Sequence, residues 1–409
     1  MHRIKVVHLV AGELDGGAAR GAYWLHKGLI ELGVDSHVIT NSKTDLGDTN
    51  VTLLPDSSVV RFVSKIIRRL DSWIIKMYPR NKEQIYSTGF AGLNYKKNKH
   101  YKRANIVHLH WINSLVSTNS LKSINKPVIW TFRDMWPFTG GCHYSISCDK
   151  YKTGCGSCPQ LGSKKDNDLS RLILKNKAIA YRGITVVGIS PWLSKEISES
   201  LLFRNQPVNT IFNNIDCSAF SPIEKQRARN ILKIETTKKI VLAGAINTSD
   251  PYKGFQLFLE ALESLDPNMY YICVFGKSIP HLFKHLDFEV NFLGYLSSSY
   301  EMQLAYSCAD VFVAPSVQEA FGKTIVESMS CGTPVVCFDA TGPGDIIEHK
   351  IDGYKAEPFG AKGIAEGIEW TTQTDNFVKL SARARESALS KYDLKIIAKK
   401  YLELYQKNI

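Results

Sequence analysis

The run from Ala309 to Phe338 constrains this chain more than any other. Ala309-Asp310-Val311-Phe312-Val313-Ala314 is apolar and β-branched, the pattern of a parallel strand buried on both faces, and Val335-Val336-Cys337-Phe338 repeats it. Between them Lys323 to Cys331 has helix-forming content and stops at Gly332, with Pro334 just beyond. The loop leaving the first strand delivers Phe321, Gly322 and Lys323 to a helix N-terminus, where backbone N–H groups and the helix dipole attract anions. Glu319 lies on that loop and Glu327 lies on the helix, one turn in. Two readings fit the spacing: an acid beside a phosphate-containing ligand, or a surface acid followed by an ordinary helical Glu.

The full motif Pro-Ser-x-x-Glu-Ala-Phe-Gly-x-x-x-x-Glu-x-Met-x-Cys-Gly-Thr-Pro-Val-Val, from Pro315 to Val336, resembles the signature of the family-four retaining glycosyltransferases. That resemblance implies an α/β chain with the GT-B fold, two Rossmann-like domains facing across a cleft. It also implies a nucleotide-sugar donor held mostly by the C-terminal domain. In such a site Glu319 orients the transferred sugar and Glu327 holds ribose hydroxyls. The N–H groups of Phe321, Gly322 and Lys323 meet the diphosphate.

A length of 409 residues with 44% hydrophobic content suits two cored domains. Met1 to Ala11 reads as a first strand rather than a secretory signal, and no apolar run reaches the roughly 18 residues of a membrane span. The nine cysteines are an odd number in a chain with ample core, which predicts reduced thiols and a cytoplasmic setting. The net charge of +12 is concentrated: Arg61 to Arg103 holds twelve Lys or Arg against Asp71 and Glu83. Within it, residues 59–78 carry Val63, Ile66, Ile67, Leu70, Trp73, Ile74 and Met77 at helical spacing, with Arg61, Lys65, Arg68, Ser72 and Lys76 mostly opposite. Such a helix fits an anionic membrane surface, and equally an N-domain helix with a solvated basic face. No recognition motif accompanies the charge, so nucleic acid is not expected as a partner.

From the N-terminus, Ile4 to Ala11 is a strand, and a Gly-rich loop with Gly16 and Gly17 leads into a helix that Gly33 closes. The spacing does not fit the dinucleotide fingerprint. In the resembled family this loop faces donor phosphates and acceptor; a tight strand-to-helix turn fits the residues as well. Asn105 to Trp111 is another buried strand, placing His110 at a C-terminal edge where ligands bind in open α/β sheets. His110 fits a ligand contact or a hydrogen-bonded structural role. The strand Pro127 to Phe132 delivers Arg133 and Asp134 to the same edge. The family places His-Asp there, so Arg133 stands in the His position. It can hold phosphate or an acidic sugar as a permanent cation, but it cannot act as a base. Asp134 and His110 are acceptor-side candidates.

Cys142, Cys148, Cys155 and Cys158 follow, ending in Cys-x-x-Cys. Four thiolates suit a structural Zn²⁺, and buried reduced thiols fit too. Val208 to Asp216 resembles the family's interdomain hinge, with Asn214 in place of its Gly. The second domain opens on the strand Lys239 to Gly244, and Lys253-Gly254 sits at a strand-to-helix entry where it meets a diphosphate in the resembled family. Ala245 occupies the position of that family's Arg. Tyr295 follows the segment that reads the nucleobase.

The reading is a domain at 1–212 with a Cys-rich insertion at 140–160, a nucleotide-sugar domain at 213–390, and a helix at 391–409 crossing back to the first. As catalytic groups it names Glu319, Lys253 and Arg133. As donor contacts it names Gly16, Gly17, Phe321, Gly322, Lys323, Glu327 and Tyr295. The implied activity is retaining transfer, with no cofactor required, from a UDP or GDP sugar to a lipid-linked saccharide in bacterial surface-polysaccharide assembly. The enzyme would sit at the inner face of the plasma membrane. A nucleotide-sugar epimerase of the same fold and a non-catalytic sugar-nucleotide-binding scaffold are the alternatives.

Overall fold

A computed structural model describes residues 4–14, 16–42, 47–54, 66, 69, 71, 73–79, 84–277 and 280–409. The chain divides into two compact units, Met1–Asn214 with Leu394–Ile409, and Ile215–Asp393.

The first unit is built on a parallel sheet of β1 (Lys5–Val10), β2 (Asp35–Thr40), β3 (Val51–Leu53), β4 (Ile106–Leu109), β5 (Val128–Phe132), β6 (Ile184–Gly188) and β7 (Val208–Thr210), in the order β3-β2-β1-β4-β5-β6-β7. A parallel strand covered on both faces must be apolar nearly throughout. Accordingly β4 and β5 are buried at every position, and β1 is buried at all but its first. His8, His108 and Thr131 interrupt these runs, and each is fully buried.

The helix Gly17–Glu31 carries the chain from β1 to β2 and ends before Gly33, whose φ of 79° turns the chain. Its inner face takes Leu25 and Leu29 into one cluster with Val6, Ile106 and Ile129. The last helix, Leu394–Gln406, adds Ile397, Ala398, Tyr401 and Tyr405 to that cluster, so the chain terminus belongs to the first unit's core. Each such side chain contributes about 1.5–3 kcal/mol by leaving water. Gly28 sets the approach: a Cβ there would lie 2.8 Å from the Leu394 carbonyl oxygen.

The second unit repeats the scheme with β8 (Lys239–Asn247), β9 (Tyr270–Lys277), β10 (Glu289–Gly294), β11 (Val311–Ala314), β12 (Val335–Phe338) and β13 (Tyr354–Ala356), all parallel, in the order β10-β9-β8-β11-β12-β13. The helix Lys323–Ser330 joins β11 to β12 where the motif predicts it. In each sheet the strand order reverses once, between β1 and β4 and between β8 and β11. The carboxyl ends of strands at such a reversal form the ligand crevice of open α/β sheets.

Most of the helix expected at 59–78 lies outside the described residues. Of those described, Trp73 and Met77 are 60% and 66% exposed. Ile75, which the helical pattern leaves off its apolar face, is instead buried against Tyr86, Leu161 and Ile173. No helix among the described residues is long and apolar enough to cross a membrane. Asn214 is not among the residues with left-handed backbone, so the hinge position does not use the geometry that its family counterpart's Gly suggests.

Candidate functional site

At the β8–β11 reversal two loops are fastened to one another. The N–H groups of Val317 and Gln318 both donate to the Tyr252 carbonyl, at 2.9 and 3.3 Å. Gly254 sits in left-handed geometry with φ of 64°, and a Cβ on it would stand 1.9 Å from the Pro315 carbonyl oxygen. Only glycine allows that approach. The short turn before it is braced by Asp250, which accepts from Tyr252 Oη at 3.0 Å and from Asn247 Nδ2 at 2.9 Å. The result places Lys253 Nζ in an ion pair with Glu319 Oε2, both side chains partly exposed. Residues distant in sequence thus present one cation and one anion at the sheet's carboxyl edge.

A third loop holds Glu319 from behind. Gly342 N donates to the Glu319 carbonyl at 2.9 Å, and Glu319 N donates to Thr341 Oγ1 at 3.4 Å. A Cβ at Gly342 would stand 2.6 Å from Phe321 Cα. Thr341 itself takes the left-handed φ of 51°, a strained choice for a β-branched residue. Neither residue was singled out from sequence as part of the site. A threonine preceding a glycine-rich turn directly after a buried strand was the available signal.

The helix Lys323–Ser330 begins at Gly322, φ 107°, which offers no side-chain acceptor to its first turn. Phe321 is buried against Tyr392. Glu327 is buried as well and accepts from Tyr306 Oη at 3.1 Å. Tyr295 stands past the end of β10 and is 68% exposed. Ala245 is buried on β8.

In the first unit, Gly16 and Gly17 lie where the β1 loop enters its helix. Only Gly17 is left-handed there, and a Cβ on it would meet nothing within 4 Å. Arg133 is 7% exposed. Its Nη1 donates to Asn213 Oδ1 at 2.6 Å and its Nη2 to His110 Nδ1 at 3.3 Å, beneath a helix that only Gly21 lets so close. Burial pulls the guanidinium down to about 10. The side chain expected at a ligand is thus held by groups of its own unit.

Because guanidinium only donates, it sets the tautomers of a line of neutral imidazoles. His110 Nδ1 accepts, so Nε2 carries the proton and donates to His8 Nδ1 at 2.9 Å. His8 Nε2 then donates to Ser36 Oγ at 3.1 Å, and the hydroxyl donates to His26 Nδ1 at 2.8 Å. The line ends with His26 Nε2 3.4 Å from Asp48 Oδ2, outside hydrogen-bond geometry. Beside it, His108 bonds Tyr405 Oη at 2.6 Å and Thr131 Oγ1 at 2.8 Å. Burial holds His8, His108 and His110 well below the usual imidazole range, with the charge of Arg133 adding to it. A histidine in the middle of an apolar strand, as at His8 and His108, was the signal for this network.

Asp134 is buried and saturated on one side: Oδ1 accepts from Trp136 N at 2.9 Å, and Oδ2 accepts from Trp111 Nε1 at 2.9 Å and pairs with His143 Nδ1 at 2.6 Å. His143 and Trp111 were not singled out from sequence.

Residues 237–373 match the family described as glycosyl transferases group 1. Among relatives, a Campylobacter jejuni N,N'-diacetylbacillosaminyl-diphospho-undecaprenol alpha-1,3-N-acetylgalactosaminyltransferase is 31% identical, over 39% of this chain and 42% of its own. A protein of Escherichia coli named for glycosyl transfer in colanic acid biosynthesis is 21% identical over 82% of this chain and 83% of its own. Among solved structures, Anabaena HepE in complex with UDP and glucose superposes with a TM-score of 0.66, at 15% identity, covering 99% of this chain and 100% of its own. With its two parallel sheets, the chain has the GT-B fold of these solved structures, and residues 237–373 of it match the group 1 glycosyl transferase model.

Proposed function

We propose that this protein is a retaining glycosyltransferase that moves a sugar from a UDP-type donor to a lipid-linked saccharide during bacterial surface-polysaccharide assembly. The observation that carries the reading is the Lys253–Glu319 pair at the β8–β11 reversal, beside the glycine-capped helix Lys323–Ser330 and inside the matched domain. A diphosphate entering there exchanges Glu319 for its own oxygens at Lys253 and takes further N–H donors from the helix start. Glu319, released from the ammonium, is then free to orient the sugar and to stabilise positive charge at its anomeric carbon. In the front-face course the bond from anomeric carbon to phosphate oxygen breaks as the acceptor oxygen bonds to that carbon. The departing phosphate takes the acceptor's proton. Charge on the leaving group is met by fixed protein groups, which act most strongly where they need no reorganisation.

The UDP assignment is supported by the HepE complex with UDP and glucose. The lipid-linked acceptor is supported by the name of the Campylobacter relative, and polysaccharide assembly by that of the Escherichia coli protein. Exposed Trp73 and Met77, in a strongly basic stretch, support peripheral attachment to an anionic membrane.

The test is a panel of nucleotide sugars read by thermal shift and mass spectrometry, with and without a polyprenyl-diphosphate saccharide. Stabilisation by one donor and a product heavier by one sugar are expected. Epimerised donor without acceptor would make the protein an epimerase, and binding without turnover would make it a scaffold.

A further inference from the structure

We infer that Cys142, Cys148, Cys155 and Cys158 form a single-ion metal site, of the thiolate type that takes Zn²⁺. All four side chains line one cavity of about 20 Å³, together with Tyr86 and Gly140. That is about the room of one water, which suits one ion. None of the four is in a disulfide.

The Cys155-Gly156-Ser157-Cys158 turn is built to aim amides at sulfur. Cys155, Gly156 and Ser157 are successively left-handed, with φ of 54°, 102° and 42°. Backbone strain at non-glycine residues persists only where the surroundings over-determine it. Here the turn lets the N–H groups of Gln160 and Leu161 reach Cys158 sulfur, while Gly140 N–H reaches Cys155 sulfur. A Cβ at Gly156 would meet the Asp166 carbonyl oxygen at 2.2 Å, so the turn is seated closely.

A buried cation stands beside the cluster. Lys177 is fully buried, and its Nζ lies 3.8 Å from the centre of the Trp136 ring and donates to the carbonyls of Trp136 and Thr139, the latter at 3.0 Å. Among the described residues no carboxylate forms an ion pair with it, and burial pulls it down to about 7; the groups able to carry negative charge that act on it are Cys142, Cys155 and Asp134. Burying an ammonium is costly without opposite charge nearby. Four thiolates around one Zn²⁺ carry a net charge of −2, which supplies it. Binding releases the thiol protons to solvent.

A competing set of ligands exists. Among the described residues, His8, His108 and His110 are the group whose ligand atoms already lie within 4.8 Å of one another; the four sulfurs line their cavity less closely and would draw in on an ion. Its nitrogens are already bonded, to Ser36, Tyr405, Thr131 and each other, and Arg133 lies 3.3 Å from His110. A cation there would face a guanidinium. The cysteine site has the opposite electrostatics. Its consequence is local: Thr139 Oγ1 donates to the Cys142 carbonyl at 2.6 Å, Trp136 N in the same segment donates to Asp134, and His143 and Trp111 bond Asp134 in turn. The ion would hold the Asp134 loop in shape.

The full chain, purified untagged in reducing buffer without chelator, should contain about one zinc per chain by mass spectrometry. Replacement by Co²⁺ should give the visible and charge-transfer bands of a tetrahedral tetrathiolate. Cys155→Ser with Cys158→Ser should lose most of the metal, while Cys337→Ser, a buried thiol elsewhere, should keep it. Chelation should lower the melting temperature of the unaltered protein. A metal-free protein that takes up none, or a cobalt spectrum without thiolate bands, would overturn the inference. So would intact-mass evidence of disulfides among these four residues.

Discussion

Replacement of Gly254 by alanine isolates what the Lys253 turn depends on. Two costs follow from the geometry. An L-residue at φ of 64° loses about 1–2 kcal/mol for left-handed backbone. The new Cβ would also start 1.9 Å from the Pro315 carbonyl oxygen, whereas ordinary contact needs about 3.4 Å, so one loop must retreat by more than 1 Å. Overpacking of this kind adds about 1–3 kcal/mol, for a total of about 2–5 kcal/mol. The retreat also pulls Lys253 away from its place beside Glu319, and a misplacement of about 1 Å costs on the order of a hundredfold in rate. Gly332→Ala is the matched control in the same unit. Its φ is 76°, but its nearest neighbour is Ser381 Oγ at 3.2 Å, a hydroxyl that can rotate aside. It should lose only the backbone cost and keep its rate. Urea denaturation and donor turnover would be measured on both. Equal stability loss in the two variants, or full turnover by Gly254→Ala, would refute the close approach as the reason for glycine.

Three further outcomes follow from other parts of the molecule. Arg133→Met leaves Asn213 and His110 short of a buried donor and should destabilise the first unit by about 1–3 kcal/mol in urea. Unchanged stability with turnover abolished would return Arg133 to the donor site. His8, His108 and His110 are neutral when folded, so the unfolded chain binds more protons once pH drops below about 6.5. Stability is therefore complete above that pH and is lost below it, by about 1.4 kcal/mol per histidine one unit down, or about 4 kcal/mol for the three. A urea midpoint that stays level from pH 7.5 to about 5.5 would contradict this. For the membrane reading, Trp73→Ser with Met77→Ser should weaken sedimentation with anionic liposomes several-fold, and undiminished binding would count against it.

The second unit was more legible from sequence than the first, for a physical reason. Between β11 and β12 strand, loop, capped helix and strand follow in sequence, so local patterns carried the site-bearing segment. Lys253 and Glu319 were each recognisable on their own loops. Their pairing depends on Gly254 packing against Pro315, a contact that no local pattern records. The same holds for Thr341 and Gly342 behind Glu319. In the first unit, Arg133 was read from sequence at the carboxyl edge of its strand as a ligand contact, and its bonds to Asn213 and His110 were not. Its partners Asn213 and His110 come from remote segments, and the burial they create appears only when the sheet is assembled. Lys177 was invisible because a lysine within an amphipathic helix reads as solvated. The four cysteines were evident as a group, but the amides that turn toward them were not.

The central claim is that Lys253 and Glu319 act on a nucleotide sugar held at the β8–β11 reversal. The most direct test is the transfer rate of Lys253→Met and Glu319→Gln on the donor that stabilises the unaltered protein. Donor affinity would be measured in parallel. Loss of a preorganised charge at the departing diphosphate should lower kcat by about a hundredfold to a thousandfold for Lys253→Met, with the fold intact by circular dichroism. Glu319→Gln should retain donor binding and lose transfer. Transfer at the unaltered rate in both variants would contradict the account.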